Sequence, residues 1–438
     1  MFKRFPFHLL RRVTSGGAVL GELDGLRAVA ILPVVLFHAT LSIYLKGAAG
    51  QVSMITGDGA VFRSPLGWIV ANGFLGVQLF FVISGFVVVL PFARARLLGV
   101  GAGGRAPSLS RFFLKRLTRI EPPYVIALAA FYLGTLAIAP QNAHIGEYLA
   151  GLVYMHRAIF ADEPWAFFIS WSLEIEVQFY LLAPFIAAAI FSVRPTAMRR
   201  AILVALIGAT AMLAARARLD GLEPTPLLGP LQHGSWLGSE IAFFLVGILV
   251  ADIWTMREVR SETRVSHFAW DIGWFAGLLS VIASYRVLEE TPWGIALLLA
   301  GLFMMTLGAF RSRIVRAMLS IPLISAIGGA CYTIYLFHFL CVSLFGRFLA
   351  PFTTTAFERN VLLVALPFAL SFTCAVTLAC LCLFPLVERP FMYSNWPQLV
   401  WRAVRERRLG VSGGAGRWRR VLARMSCSER RLAATCRQ

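Results

Sequence analysis

Ten runs of apolar residues, most of them near the ~20 positions that a helix needs to cross a hydrocarbon core, leave this chain few choices of fold. They cover Asp24–Leu45, Ile69–Phe92, Ile120–Ala139, Ile169–Val193, Ala201–Ala215, Trp236–Trp254, Trp270–Tyr285, Trp293–Phe310, Ile324–Leu349 and Val361–Leu386. In lipid the backbone must satisfy its own hydrogen bonds, so these runs predict an all-α, polytopic integral membrane protein of about ten transmembrane helices. Composition argues against a soluble fold: 58% of the 438 residues are hydrophobic and 14% are charged, against ~25% charged in a soluble domain. A further apolar stretch, Ile145–Phe160, carries Glu147, His156 and Arg157. It reads as a re-entrant or interfacial helix in an outer loop.

The formal net charge of +19 could suggest a nucleic-acid partner, but the basic residues are distributed as membrane topology requires. With the N-terminus inside, the inner segments hold 32 of the 41 Lys and Arg, the outer loops hold seven, and Arg27 and Arg347 fall within spans. That asymmetry follows the positive-inside rule and predicts cytoplasmic N- and C-termini. The expected partner is membrane lipid, with no nucleic acid. Residues 1–21 form a basic N-terminus without a small-residue cleavage site, which predicts a retained first helix. Residues 22–393 form the transmembrane domain, and 394–438 a flexible basic tail attracted to anionic lipid. The seven cysteines show no metal-ligand spacing, so no metal is expected.

Ionisable groups within spans are costly and default to functional candidates. The first span carries Asp24, Arg27 and His38. Arg27 and His38 are eleven residues apart, which returns them to nearly one helix face about 16 Å apart. Asp24, three residues before Arg27, can pair with it. His338 lies as far into the ninth span as His38 lies into the first, so the two should share a depth. Glu176, about seven residues into the inward-running fourth span, should fall near that level. Two histidines and a carboxylate at one depth suit a general-base site, or a polar network that only fixes helix packing.

Arg116 and Arg119, three apart after the second span, face one way. They suit the phosphates of a nucleotide-bearing donor, or act simply as topology-setting charge. Pro122 and Pro123 should break or bend the chain where it enters the bilayer. Ser84 lies among helix-packing glycines and lacks a nucleophile-elbow pattern, so packing is its expected role.

Together these segments resemble the membrane acyltransferase 3 family of O-antigen, Nod-factor and macrolide O-acyltransferases, over roughly Leu23 to Tyr393. The resemblance lies in Leu-Asp-Gly-Leu-Arg at Leu23–Arg27 with His38 completing an Arg-x10-His pattern, and in Phe-Phe-Val-Ile-Ser-Gly-Phe at Phe80–Phe86. It continues in Arg116-x-x-Arg119, in Trp171-Ser172-Leu173 followed by Glu176, Gln178, Phe179 and Tyr180, and in Tyr332–His338. Two departures stand out. Val177 occupies a position where many members carry a second Glu, and Glu174 one where a small residue is common; Glu174 either adds a charge to the site or faces elsewhere.

The resemblance implies transfer of an acyl group, by family habit acetyl, from acyl-CoA (acetyl-CoA) as donor substrate. The acceptor would be a hydroxyl of a carbohydrate, glycolipid or small molecule, at a bacterial inner membrane, with no permanently bound cofactor. His38, Glu176 and His338 are the catalytic candidates. Arg27, Asp24, Arg116, Arg119, Trp171, Ser172 and Tyr335 are candidates for substrate contacts. An exporter of a glycan or acylated small molecule is the alternative, and a structural partner of a glycan synthase a third.

Overall fold

The computed structural model describes residues 21–46, 65–99, 106–160, 167–219, 237–259, 268–290, 293–349, 361–393 and 396–398. The basic N-terminus and tail read from the sequence lie almost wholly outside these residues. Among the described residues the chain is helical throughout, without strands. In chain order the helices are α1 (Gly21–Lys46), α2 (Pro65–Ala71), α3 (Gly76–Leu97), α4 (Leu109–Ile138), α5 (Ile145–Leu152), α6 (His156–Phe160), α7 (Trp171–Ser192) and α8 (Thr196–Leu219). Then follow α9 (Leu237–Val259), α10 (Phe268–Glu290), α11 (Trp293–Arg311), α12 (Arg313–Leu319), α13 (Pro322–Gly329), α14 (Cys331–Leu349) and α15 (Leu366–Val387). Eight are long and apolar enough to span, α13 and α14 together make a ninth, broken span, and α10 is an apolar helix with a shorter apolar core. The protein is a polytopic membrane protein.

Three boundaries differ from the sequence expectation. The ninth run is not one rod: α13 and α14 meet at 74°, with the pair Gly328–Gly329 just before the break. The fifth run extends to Thr196–Leu219 because polar Arg and Thr residues continue the helix beyond the apolar stretch. The third is longer still, and Pro122 and Pro123 lie inside α4 without ending it. Pro122 has no N–H for the carbonyl of Thr118, one turn back. The indole of Trp396 donates to that carbonyl instead, at 2.8 Å, and the Tyr332 hydroxyl donates to the carbonyl of Ile120 at 3.0 Å.

Lipid tails are as apolar as leucine, so close backbone approach, not hydrophobic exclusion, drives helix association here. A β-carbon at Gly85 would strike the carbonyl of Phe244, and one at Gly247 the carbonyl of Val82, which clamps α3 to α9. The start of α1 is held similarly: a β-carbon at Gly25 would strike the carbonyl of Leu319, and one at Gly328 that of Asp24. α1, carrying Asp24, Arg27 and His38, is thereby wedged against α12 and α13 and packs along α3, α14 and α15.

The outer-loop stretch read as re-entrant forms α5 and α6. Ile145, Leu149 and Val153 form an exposed apolar stripe at four-residue spacing, while Ala150 and Gly151 are buried. Tyr154 then turns the chain with φ 56°, a left-handed conformation rare for an aromatic residue. Its ring stacks on Tyr124 of α4, centroids 4.5 Å apart. Tyr124 in turn donates to the carbonyl of Gly151 at 2.7 Å.

Candidate active site

α1 and α14 bring the two histidines together. Nε2 of His338 lies 3.1 Å from Nδ1 of His38. His338 is fully buried and His38 is 8% exposed, edged by Phe339. Nδ1 of His338 sits 2.9 Å from the carbonyl of Ile334 and 2.8 Å from that of Tyr335. A carbonyl only accepts, so Nδ1 of His338 carries the proton and its Nε2 is a bare acceptor in the neutral ring. Nδ1–H of His38 then donates to it, and the basic lone pair of His38 falls on its own Nε2. One imidazole thus fixes the tautomer of the other.

Glu176 does not complete this pair. Its Oε1 accepts from Ser84 at 2.7 Å and also from Tyr180, and the charges acting on it are Arg116 and Arg27. At the start of α7, Ser172 Oγ is 2.5 Å from the Tyr335 hydroxyl, which itself donates to the carbonyl of Ile169. Tyr335 is already one turn below His338 on α14, and Glu176 lies a turn further along α7. Ser84, read from the sequence as a packing residue, supplies a hydrogen bond to the buried carboxylate. Trp171 packs edge-on against Phe81.

A cluster of arginines lies at this end. Arg27 Nη1 donates to Asp24 Oδ1 at 2.6 Å. The Arg116 guanidinium stacks over Phe112 at 3.8 Å and Tyr180 at 5.0 Å. Electrostatic coupling links Arg116 to Glu176 and Arg119, and Arg119 to Glu388 and Arg27. Arg27, Arg116 and Arg119 therefore share one region, as their helix faces predict. Glu388, at the end of α15, escaped the sequence reading because the last apolar run was closed at Leu386. A buried-side carboxylate within two residues of a span end was the available signal.

Glu174 faces elsewhere. It is 2% exposed, its Oε2 accepts from the backbone N–H of Arg157 on α6 at 3.3 Å, and its Oε1 has no partner. Nearby, His156 Nε2 stands 3.6 Å from Glu147 Oε2. Burial, with Glu121 close by, holds the Tyr154 phenol well above its ordinary range, so it stays protonated. Among the described residues no group of three or more His, Cys, Asp or Glu is set to hold a metal ion. An apolar cavity of about 490 Å³ between α8, α9 and α11 contains none of these groups and is walled by residues such as Ala211, Val246 and Leu299.

The arrangement offers an imidazole base hydrogen-bonded to a second imidazole, with Arg27 on the same helix and Arg116 and Arg119 on α4. A family model described as an acyltransferase domain matches residues 20–384. The chain belongs to the acyltransferase 3 family. Relatives of this chain include O-acetyltransferase OatA of Staphylococcus aureus (strain NCTC 8325 / PS 47), 23% identical over 343 residues, covering 73% of this chain and 50% of OatA. SACOL0978 of Staphylococcus aureus (strain COL), named as an O-acetyltransferase, is 23% identical over 342 residues, with the same coverage. YrhL of Bacillus subtilis (strain 168), named for peptidoglycan O-acetylation, is 23% identical over 290 residues, 62% of this chain and 39% of its own. The chain thus spans half or less of the length of these relatives. No solved structure is a significant match.

Proposed function

We propose that this acyltransferase moves an acyl group, acetyl by the habit of its relatives, from acyl-CoA at the arginine end to a hydroxyl of a carbohydrate, glycolipid or small molecule. The arginine end would face the cytoplasm of a bacterial inner membrane. The observation that carries the proposal is the buried His38–His338 pair, with Arg27 of the same helix α1 coupled to Arg119 of α4.

Arg116 and Arg119 hold the donor phosphates, and Arg27 guides the donor at the mouth of the passage. The pantetheine arm runs along α1 from Arg27 towards His38, a rise of about 16 Å. Nε2 of His38 takes the proton of the acceptor hydroxyl while its oxygen attacks the thioester carbonyl. The carbon–sulfur bond breaks, and the CoA thiolate recovers the proton from the imidazolium. His338 stabilises that imidazolium by accepting from Nδ1–H, so it orients the base. Glu176 instead counters the charge of Arg116 and Arg27. The other use of His38, as a transient acyl carrier, places the acyl group on the same nitrogen.

The test uses the protein in lipid nanodiscs with labelled acetyl-CoA and a glycan and lipid extract. Label should enter an alkali-labile ester, and His38→Ala should slow transfer by about 10²- to 10⁴-fold. An unchanged rate in His38→Ala would remove the base. In sealed proteoliposomes, substrate that crosses the membrane without gaining an ester would identify an exporter.

A further inference from the structure

The break between α13 and α14 leaves the first N–H groups of α14 without intrahelical acceptors. One of them, at Thr333, donates to Glu388 Oε2 at 2.9 Å, and the Thr333 hydroxyl donates to the same oxygen at 2.7 Å. Glu388 is 4% exposed, so a carboxylate from the end of α15 caps a helix that begins inside the protein. A negative charge there also suits the positive end of the α14 dipole. Of the charges that act on Arg119, Glu388 is the strongest and attractive, while Arg27 opposes it. α14 carries Tyr335 and His338, and its Tyr332 is bonded to Ile120, the residue after Arg119. His338 lies five residues beyond Thr333, about 7.5 Å along the helix.

The three arginines are also matched by three carboxylates: Asp24 pairs with Arg27, Glu176 acts on Arg116, and Glu388 acts on Arg119. A phosphate reaching Arg119 would enter the field of Glu388, whose bonded partner Thr333 is the residue after Tyr332, itself bonded to Ile120 beside Arg119.

We propose that Glu388 is a positioning residue with two tasks: it fixes the start of α14, and so the height of His338 against His38, and it competes with the donor phosphates for Arg119, which keeps CoA release fast. This rests on the donor-site reading given above. The two tasks separate chemically. A glutamine at 388 can still accept from Thr333 through its amide oxygen, but it carries no charge. An alanine does neither.

The experiment compares the wild type, Glu388→Gln and Glu388→Ala in nanodiscs, reading [³H]CoA binding directly and kcat and KM for labelled acetyl-CoA in parallel. Glu388→Gln should bind CoA about threefold or more tighter, in keeping with loss of a nearby opposing charge of modest strength. Its KM for acetyl-CoA should fall with the CoA constant, and kcat should fall far less than in the alanine variant. Glu388→Ala should lose at least tenfold in kcat through displacement of His338. Should Glu388→Ala fail to elute as a monodisperse protein, the glutamine variant alone decides. Equal CoA affinity in the wild type and Glu388→Gln, with the wild type binding CoA, overturns the role of Glu388 and leaves the donor site standing. A wild type that binds no CoA overturns both, and glutamine and alanine variants with the same kcat and KM overturn the division of tasks.

Discussion

In the proposed reaction the chemistry turns on which nitrogen of His38 is bare, and His338 helps to decide that, together with the backbone of Val34. The Nδ1 of His338 is committed to two backbone carbonyls, so the pair has one consistent set of protons. Replacing His338 by Phe fills the space but removes one acceptor of His38, leaving its bond to the Val34 backbone. A fall of about tenfold to a hundredfold in kcat is expected, as for the partner groups that orient metal-bound histidines. Steady-state rates with labelled acetyl-CoA check it. Glu176→Gln should change the KM for acetyl-CoA while the pH profile of kcat keeps its shape; a displaced profile would return Glu176 to the histidines. A common depth for His38 and His338 was legible from residue counts along two spans, but the contact of their rings was not. The partners of Glu176 were not legible either, because they come from Ser84 on α3 and Tyr180 on its own helix. Ile169 and Ser170, expected as the first residues of a span, form a short helical turn before α7, bonded to Tyr335 through the Ile169 carbonyl.

At the level of helices, apolar run length located the spans, although of the ten runs eight helices and one broken pair reach the length and apolarity of a span among the described residues, and interruptions within them were the weak point. Pro122 and Pro123 looked like a break, yet α4 runs through them, because the carbonyl that Pro122 strands is taken up by an indole 278 positions away in sequence. Conversely, Ile324–Leu349 looked continuous and contains a 74° bend. No local rule reveals either outcome, since each depends on a partner from another helix. The wedge between α1 and α13 makes a sharp prediction. Gly328→Ala places a methyl group against the backbone of Asp24 and must push α1 aside, so a loss of several degrees in melting temperature is expected. Gly208→Ala meets open space and should be neutral or slightly stabilising, by up to about 1 kcal/mol. Thermal unfolding followed by size-exclusion fluorescence in detergent compares the two; equal melting shifts would mean that the close approach carries no load.

Across the whole molecule, the sequence supports an orientation through its charge: 32 of 41 basic residues on one side of the predicted topology. Cys427 and Cys436, in the tail, should react with a membrane-impermeant maleimide in inside-out vesicles and stay unlabelled in right-side-out ones, in a background where the other five cysteines are replaced. Labelling in the opposite vesicles would invert the assignment of donor and acceptor sides. The Asp24–Arg27 pair was legible from their spacing, whereas Glu176 and Glu388 come from other parts of the chain and meet Arg116 and Arg119 only in the folded bundle.

The indole of Trp396 spans from beyond the last helix to the turn of α4 that bears Arg116 and Arg119. A fluorophore is therefore already wired to the binding end. Its emission, isolated as the difference between the native protein and Trp396→Phe, would serve as an optical gauge of nucleotide occupancy without any added label.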